Sequence, residues 1–280
     1  MSRRELVCPE CETPARPTLI EPPPEIYTCE TCKKTFPRKF LRRRTIAHKT
    51  IGGRVPSVPP TVVGGATSQV WDPIQATPSL TSGNFPVAVG DVVVGMVSSL
   101  GTAGAPDGQV AISDGGSLVK NMTKAVEVGT ALGRFTSIWF CVSPFSGSAI
   151  AFTAEWLAPF PLSATVIGTV LRGCAASPLD KTAAAKGTSA TPATGSTGAL
   201  SQVGEIAIAC FGTSEDASND APAWALPFLG AQRDGTSHAS NDTTLSEARA
   251  SGRSAAPLNA SGTIIDPVDW AACVATFKGA

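Results

Sequence analysis

Charge is scarce in this chain: Asp, Glu, Lys and Arg together make up 16% of its 280 residues, where an ordinary soluble protein carries about a quarter. A coiled coil or long helical bundle needs charged outer faces along its length, so both are excluded. Histidine is nearly absent, at 2 residues, which leaves little imidazole for acid–base chemistry. No apolar run reaches the roughly 18 residues of a membrane-spanning helix. The opening MSRRELVCPEC lacks the apolar core of a secretion signal. The expectation is a soluble chain made in a cytoplasm.

Small residues stand where charge is missing, with 27 Gly and 23 Pro among them. Runs such as DVVVGMV and EIAIACF still demand burial, which rules out full disorder. The formal net charge is zero, from 22 basic and 22 acidic side chains, but the signs are segregated. Residues 1–54 hold twelve Lys/Arg against six Glu, and the remainder holds ten against sixteen acids. This division predicts a small module over residues 1–35 and a basic, Pro/Gly-rich connector over 36–68. One large antiparallel β-sandwich then fills 69–280. The predicted fold class is mainly β.

The strongest chemical signal is a pair of Cys-x-x-Cys knuckles, Cys8 with Cys11 and Cys29 with Cys32, with the stretch Glu12–Thr28 between them. Each knuckle turns two thiolates toward one metal at about 2.3 Å, and two knuckles complete a tetrahedron. Two disulfides or four idle thiols are the alternatives, and the missing secretion signal weighs against them. A structural Zn²⁺ is therefore the predicted cofactor, with no open position for a catalytic water. A module this small cannot bury enough apolar surface alone, so the metal would supply most of its stability. It resembles a zinc ribbon.

Residues 38–54 carry seven Lys/Arg and no acid. Arg38, Lys39, Arg42, Arg43, Arg44 and Lys49 are the candidate contacts. They suit the phosphates of a nucleic acid, an acidic protein neighbour with Phe36, Phe40 and Leu41 as apolar anchors, or a passive tether. The docking arm is the favoured reading. The uncharged VPSVPPTVVGGATSQ that follows reads as an extended spacer.

Beyond it, strands are predicted over residues 86–99, 137–143, 148–156, 164–176, 204–213 and 269–277, from β-branched or alternating runs bounded by turn residues. SIWFCVSPFSGSAIAF reads as a hairpin, and 182–201 as an edge strand near Pro192. Gly90-Asp91 before VVVGM recurs as Gly204-Glu205 before IAIAC, 114 positions later, a faint sign of two equivalent halves.

The order GDVVVGMV, IWFCVSP, AIAFTAEW, ATVIGTVLRGC, GEIAIACFGT, DWAACVATFK is similar to jelly-roll-type sandwich domains of tailed-phage virion proteins, especially actinobacteriophage ones. That resemblance implies a non-enzymatic virion structural protein, a head decoration or minor tail or tail-tip component. It would be synthesised in the host cytoplasm and anchored by its zinc ribbon and basic region, with the sandwich projecting outward. Its implied partners are other virion subunits, further copies of itself as a homo-oligomer, and a host-surface glycan. The alternatives are a nucleic-acid-binding zinc-ribbon protein and a host-surface carbohydrate-binding adhesin. For the last, Trp224, flanked by prolines in APAWALP, is the candidate glycan contact.

Enzyme motifs are weak. His238 stands alone in DGTSHASND, and Ser117-x-x-Lys120 sits in a turn-rich context instead of at a helix start. Glu215, Asp216 and Asp220 do not follow calcium-loop spacing. Cys141, Cys174, Cys210 and Cys273 lie in apolar strands and read as inert core thiols.

Overall fold

The computed structural model of the chain describes residues 4–7, 26–28, 35–37, 42–45, 58–71, 79–101, 106–157, 161–214, 222–235, 243–251 and 254–280. For the strands before residue 46 and for 67–71 it describes backbone only. The chain divides into two units, Met1–Val55 and Pro56–Ala280.

The first unit holds four short strands, β1 (Arg4–Val7), β2 (Ile26–Thr28), β3 (Thr35–Pro37) and β4 (Arg42–Thr45). β2 and β3 form an antiparallel hairpin, and β1 pairs antiparallel with β4, Glu5 opposite Arg44. Arg42, Arg43 and Arg44, expected in the basic arm, lie in β4, whose ladder with β1 holds them extended. In sequence the first knuckle follows β1 directly, and the second fills the link between β2 and β3.

The second unit opens with β5 (Thr61–Trp71), β6 (Ser79–Thr81), β7 (Phe85–Val87), β8 (Val92–Leu100) and β9 (Val110–Asp114). β10 (Ser117–Asn121), β11 (Thr123–Gly129), β12 (Arg134–Val142), β13 (Gly147–Glu155) and β14 (Ser163–Arg172) follow. Their pairings are nested: β5 with β14, β6 and β7 with β13, β8 with β12, β9 with β10. The result is two antiparallel sheets. The first runs β10-β9-β13-β6 with β7 also on β13, and the second runs β11-β12-β8-β14-β5. The connector expected to reach residue 68 is strand from Thr61 onward, its β-branched Thr61, Val62 and Val63 completing the second sheet.

The remaining strands are β15 (Cys174–Ser189), β16 (Ile206–Thr213), β17 (Ala223–Trp224), β18 (Leu229–Gly235), β19 (Thr244–Ser251), β20 (Gly262–Thr263) and β21 (Val268–Gly279). Five of them make a third antiparallel sheet, β18-β19-β16-β21-β15. Ranked by chain order, the second and third sheets have the same strand sequence, 3-4-2-5-1. The smaller pairings repeat too: β17 joins β20 as β9 joins β13, and a bridge of Ala193 to Ser261 stands where β6 and β7 meet β13. The turn into each central strand is built alike. Gly90 and Gly204 have φ of 85° and 78°, a region open to glycine at little cost. The acid that follows accepts the backbone N–H three residues earlier, Ala88 to Asp91 and Gln202 to Glu205. The recurrence seen in the sequence is thus part of a repeated fold, its second copy carrying a much reduced outer layer.

The second sheet is buried on both faces. Alternation along its strands sends Val93, Val97, Val166 and Val170 toward Ile112, Ile150 and Phe152 of the first sheet. It sends Val92, Val94, Met96, Ile138, Ile167 and Leu171 toward Ile206, Ile208, Cys273 and Phe277 of the third. No helix occurs among the described residues. Of the expected strands, 137–143 and 148–156 do not form a hairpin: β12 lies in the second sheet and β13 in the first. The Ser143–Ser146 link is a corner between layers, closed by Ser143 Oγ donating to the Phe145 carbonyl.

Candidate functional site

Stacking of equivalent sheets creates two seams. At one, β5 of the second sheet lies beside β18 of the third; at the other, β11 lies beside β15. Each seam holds a cavity in the corresponding place. The smaller, about 420 Å³, lies between Thr123, Phe140 and Leu179. The larger is a groove of about 1000 Å³ between Pro60, Val62, Leu229, Gly230, Arg249 and Leu258.

Among the described residues the groove contains one charged side chain, Arg249, and its charge is already answered. Arg249 Nε and Nη2 donate to the two oxygens of Glu247 at 2.6 and 3.1 Å. Glu247 is wholly buried and also accepts Thr169 Oγ1 at 3.0 Å and Gln232 Nε2 at 2.8 Å, while Arg249 keeps a quarter of its side chain exposed. Arg249 Nη1 has no hydrogen-bond partner among the described residues. The guanidinium is thus locked in one orientation with one free edge.

The repeat supplies a comparison within the molecule. Arg249 stands opposite Ile208 in β16 as Phe140 stands opposite Val94 in β8, and Glu247 correspondingly matches Ile138. The first half fills these positions with two apolar side chains, Ile138 fully buried and Phe140 edge-on to Phe277 at 5.9 Å. The fold therefore does not need an ion pair there, and burying one carries a desolvation cost that apolar residues avoid. Sequence reading passes over both residues because SEARAS alternates like a half-exposed strand. Only the opposing sheet reveals that the acid faces inward.

The expected site residues are dispersed. Cys8, Cys11, Cys29, Cys32, Arg38, Lys39, Lys49, His238, Glu215, Asp216 and Asp220 lie outside the described residues. Trp224 is half-buried on β17 and stacks on Phe211, ring centres 4.0 Å apart and planes 22° from parallel, so one face expected to meet a glycan meets Phe211. Ser117 and Lys120 sit on the exposed edge strand β10. Cys141, Cys210 and Cys273 are buried and Cys174 partly so. Burial pushes the thiols of Cys141 and Cys174 up to about 12, far from a reactive thiolate near neutrality. Among the described residues no cluster of three or more metal-binding side chains occurs. No family model, curated protein or solved structure matches the chain.

Proposed function

We propose that this chain is a non-enzymatic structural component of a phage virion, a head decoration or minor tail or tail-tip protein. A zinc-clamped, basic N-terminal unit anchors it to the particle. The body is a jelly roll followed by a reduced second copy. What carries the reading is the nested pairing of the first half. With β6 and β7 taken as one interrupted strand and β11 as an added edge, strands one to eight pair 1 with 8, 2 with 7, 3 with 6 and 4 with 5. A ribbon of strands rolled upon itself gives that pattern, the jelly roll used by viral capsid and lectin domains. The N-terminal unit supports the anchor: both knuckles adjoin short paired strands in sequence, with Arg42–Arg44 in the same unit.

The test is fractionation of purified particles into heads and tails, followed by mass spectrometry of each fraction. The chain is expected in one fraction at a fixed ratio to its neighbours, with one Zn²⁺ per copy by elemental analysis of the purified protein. Absence from both fractions sinks the virion reading, and a zinc-free protein sinks the anchor.

A further inference from the structure

The cavity at the β11–β15 seam has no part in the anchoring proposed above, and one of its walls is an insertion. In the first half Val62 lies opposite Leu171 and Thr61 opposite Arg172. Leu171 pairs with Val92 as Phe277 pairs with Ile206, so Leu179, the β15 partner of Phe277, corresponds to Val62. Toward its start β15 meets β21 again only at Cys174, opposite Gly279. Residues 175–178 therefore face Lys278, where Thr61 alone faces the equivalent Arg172. An ordinary bulge adds one residue, and this one adds three. The first half closes its sheet without them, and Ala176, Ser177 and Pro178 line the cavity instead.

Charge and polarity define the occupant. Lys120 reaches the cavity from β10, and its ammonium makes no hydrogen bond or ion pair among the described residues. The hydroxyls of Thr123 and Ser177 have no partner there either. The three lining segments, residues 120–123, 140–142 and 176–179, are each described throughout, and no carboxylate occurs among their lining residues. Cys141 adds no negative charge, because burial pushes its thiol up to about 12. At the larger seam Glu247 answers Arg249; at this one no described acid answers Lys120. Phe140, Val142 and Leu179 give the cavity an apolar side. Its volume of about 420 Å³ falls within the roughly 300–1,000 Å³ of small-molecule sites. One free cation suits one negative charge, two hydroxyls suit the oxygens that carry it, and the apolar side suits a carbon body.

We propose that this cavity binds a small organic monoanion, a carboxylate carried on a compact apolar body. Lys120 pairs with the carboxylate, the Thr123 and Ser177 hydroxyls donate to it, and the body rests against Phe140 and Leu179. The site is independent of the virion reading.

The test titrates the isotope-labelled full chain with naphthalene-2-carboxylate and, separately, with the uncharged naphthalene-2-carboxamide, followed by heteronuclear NMR. Saturable shifts centred on residues 120–123, 140–142 and 176–179 are expected for the carboxylate, with a Kd below about 1 mM. The carboxamide should bind about tenfold more weakly or worse, because it lacks the charge that Lys120 answers. Lys120→Gln, at an exposed position, should keep the fold and weaken the carboxylate by a similar factor. Deleting Ala175, Ala176 and Ser177, which restores the residue count of the first half, should abolish binding; if that variant fails to fold, Lys120→Gln carries the test. Absence of saturable shifts overturns the proposal, as do shifts centred elsewhere. Equal affinity for the carboxamide overturns the anionic class, and unchanged affinity in Lys120→Gln removes the residue on which that class rests.

Discussion

Two acids in equivalent turns have opposite titration behaviour. Burial works against the Asp91 carboxylate, but Arg172 donates to both its oxygens at 2.9 and 2.7 Å and holds it below its ordinary 3.8. Glu205 occupies the matching place in the second half. Lys278, which matches Arg172, makes no ion pair with it among the described residues. Burial pushes Glu205 up and its neighbour Asp180 adds to the shift, while Asp180 itself stays low despite burial because Ser201 donates to it from hydroxyl and backbone. The linkage signs differ accordingly. Asp91 and Asp180 contribute stability that is present above their ordinary value and lost as pH falls through their lowered one. Glu205 contributes stability that is present below its ordinary 4.5 and lost as pH rises through its raised one. Urea unfolding from pH 3 to 8 should show Glu205→Gln flattening the decline above about 4.5, and Asp91→Asn removing part of the acid-side loss. A Glu205→Gln profile parallel to wild type would refute the assignment of that decline.

At the scale of the element, the unusual glycines of the central strands act as sockets. Gly95 of β8 and Gly168 of β14 are ladder partners. A Cβ on Gly95 would lie 2.3 Å from the Phe152 ring, and one on Gly168 would lie 2.5 Å from Phe85. The two rings descend from the first sheet into a trough that only paired glycines leave open. Gly95→Ala should cost about 1–3 kcal/mol by overpacking, read as a lowered urea midpoint; a cost near zero would show that Phe152 can move aside. In sequence these glycines look like interruptions of otherwise good strands, since local pattern cannot show a ring arriving from a strand of another sheet. The strand interiors themselves were legible. The runs DVVVGMV and EIAIACF became β8 and β16, whose residues are buried throughout except for Leu100 at the end of β8. Pairing was harder to read. A Pro-Phe-Ser-Gly link serves a hairpin and an interlayer corner equally well, and the choice is made by nested partners far apart in the chain. β17 and β20, two residues each, carry no pattern at all.

At the scale of the whole molecule, duplication and division set what can fold alone. The first half cannot discard the second cheaply: Val92, Val94, Met96, Ile138, Ile167 and Leu171 are each essentially inaccessible beneath or against the third sheet. At about 1.5–3 kcal/mol per buried side chain, six of them approach or exceed the roughly 5–15 kcal/mol that keeps a domain folded. Residues 56–173 expressed alone should aggregate or elute as large species on gel filtration, whereas 56–280 should remain monodisperse. The first unit stands in the opposite position. Met1–Val55 supplies only four described strands of three or four residues, too little sheet to be stable without a staple. If Cys8, Cys11, Cys29 and Cys32 hold Zn²⁺, a chelator removes the folding energy of that unit and leaves the body untouched. Limited proteolysis should then cut rapidly within Met1–Val55 only after chelation and leave a resistant fragment beginning near Pro56. The main calorimetric transition should stay where it is in the untreated protein. Cleavage at the same rate with and without chelator would mean that metal does not hold the unit together. A fall in the main transition would mean that the two units do not fold independently.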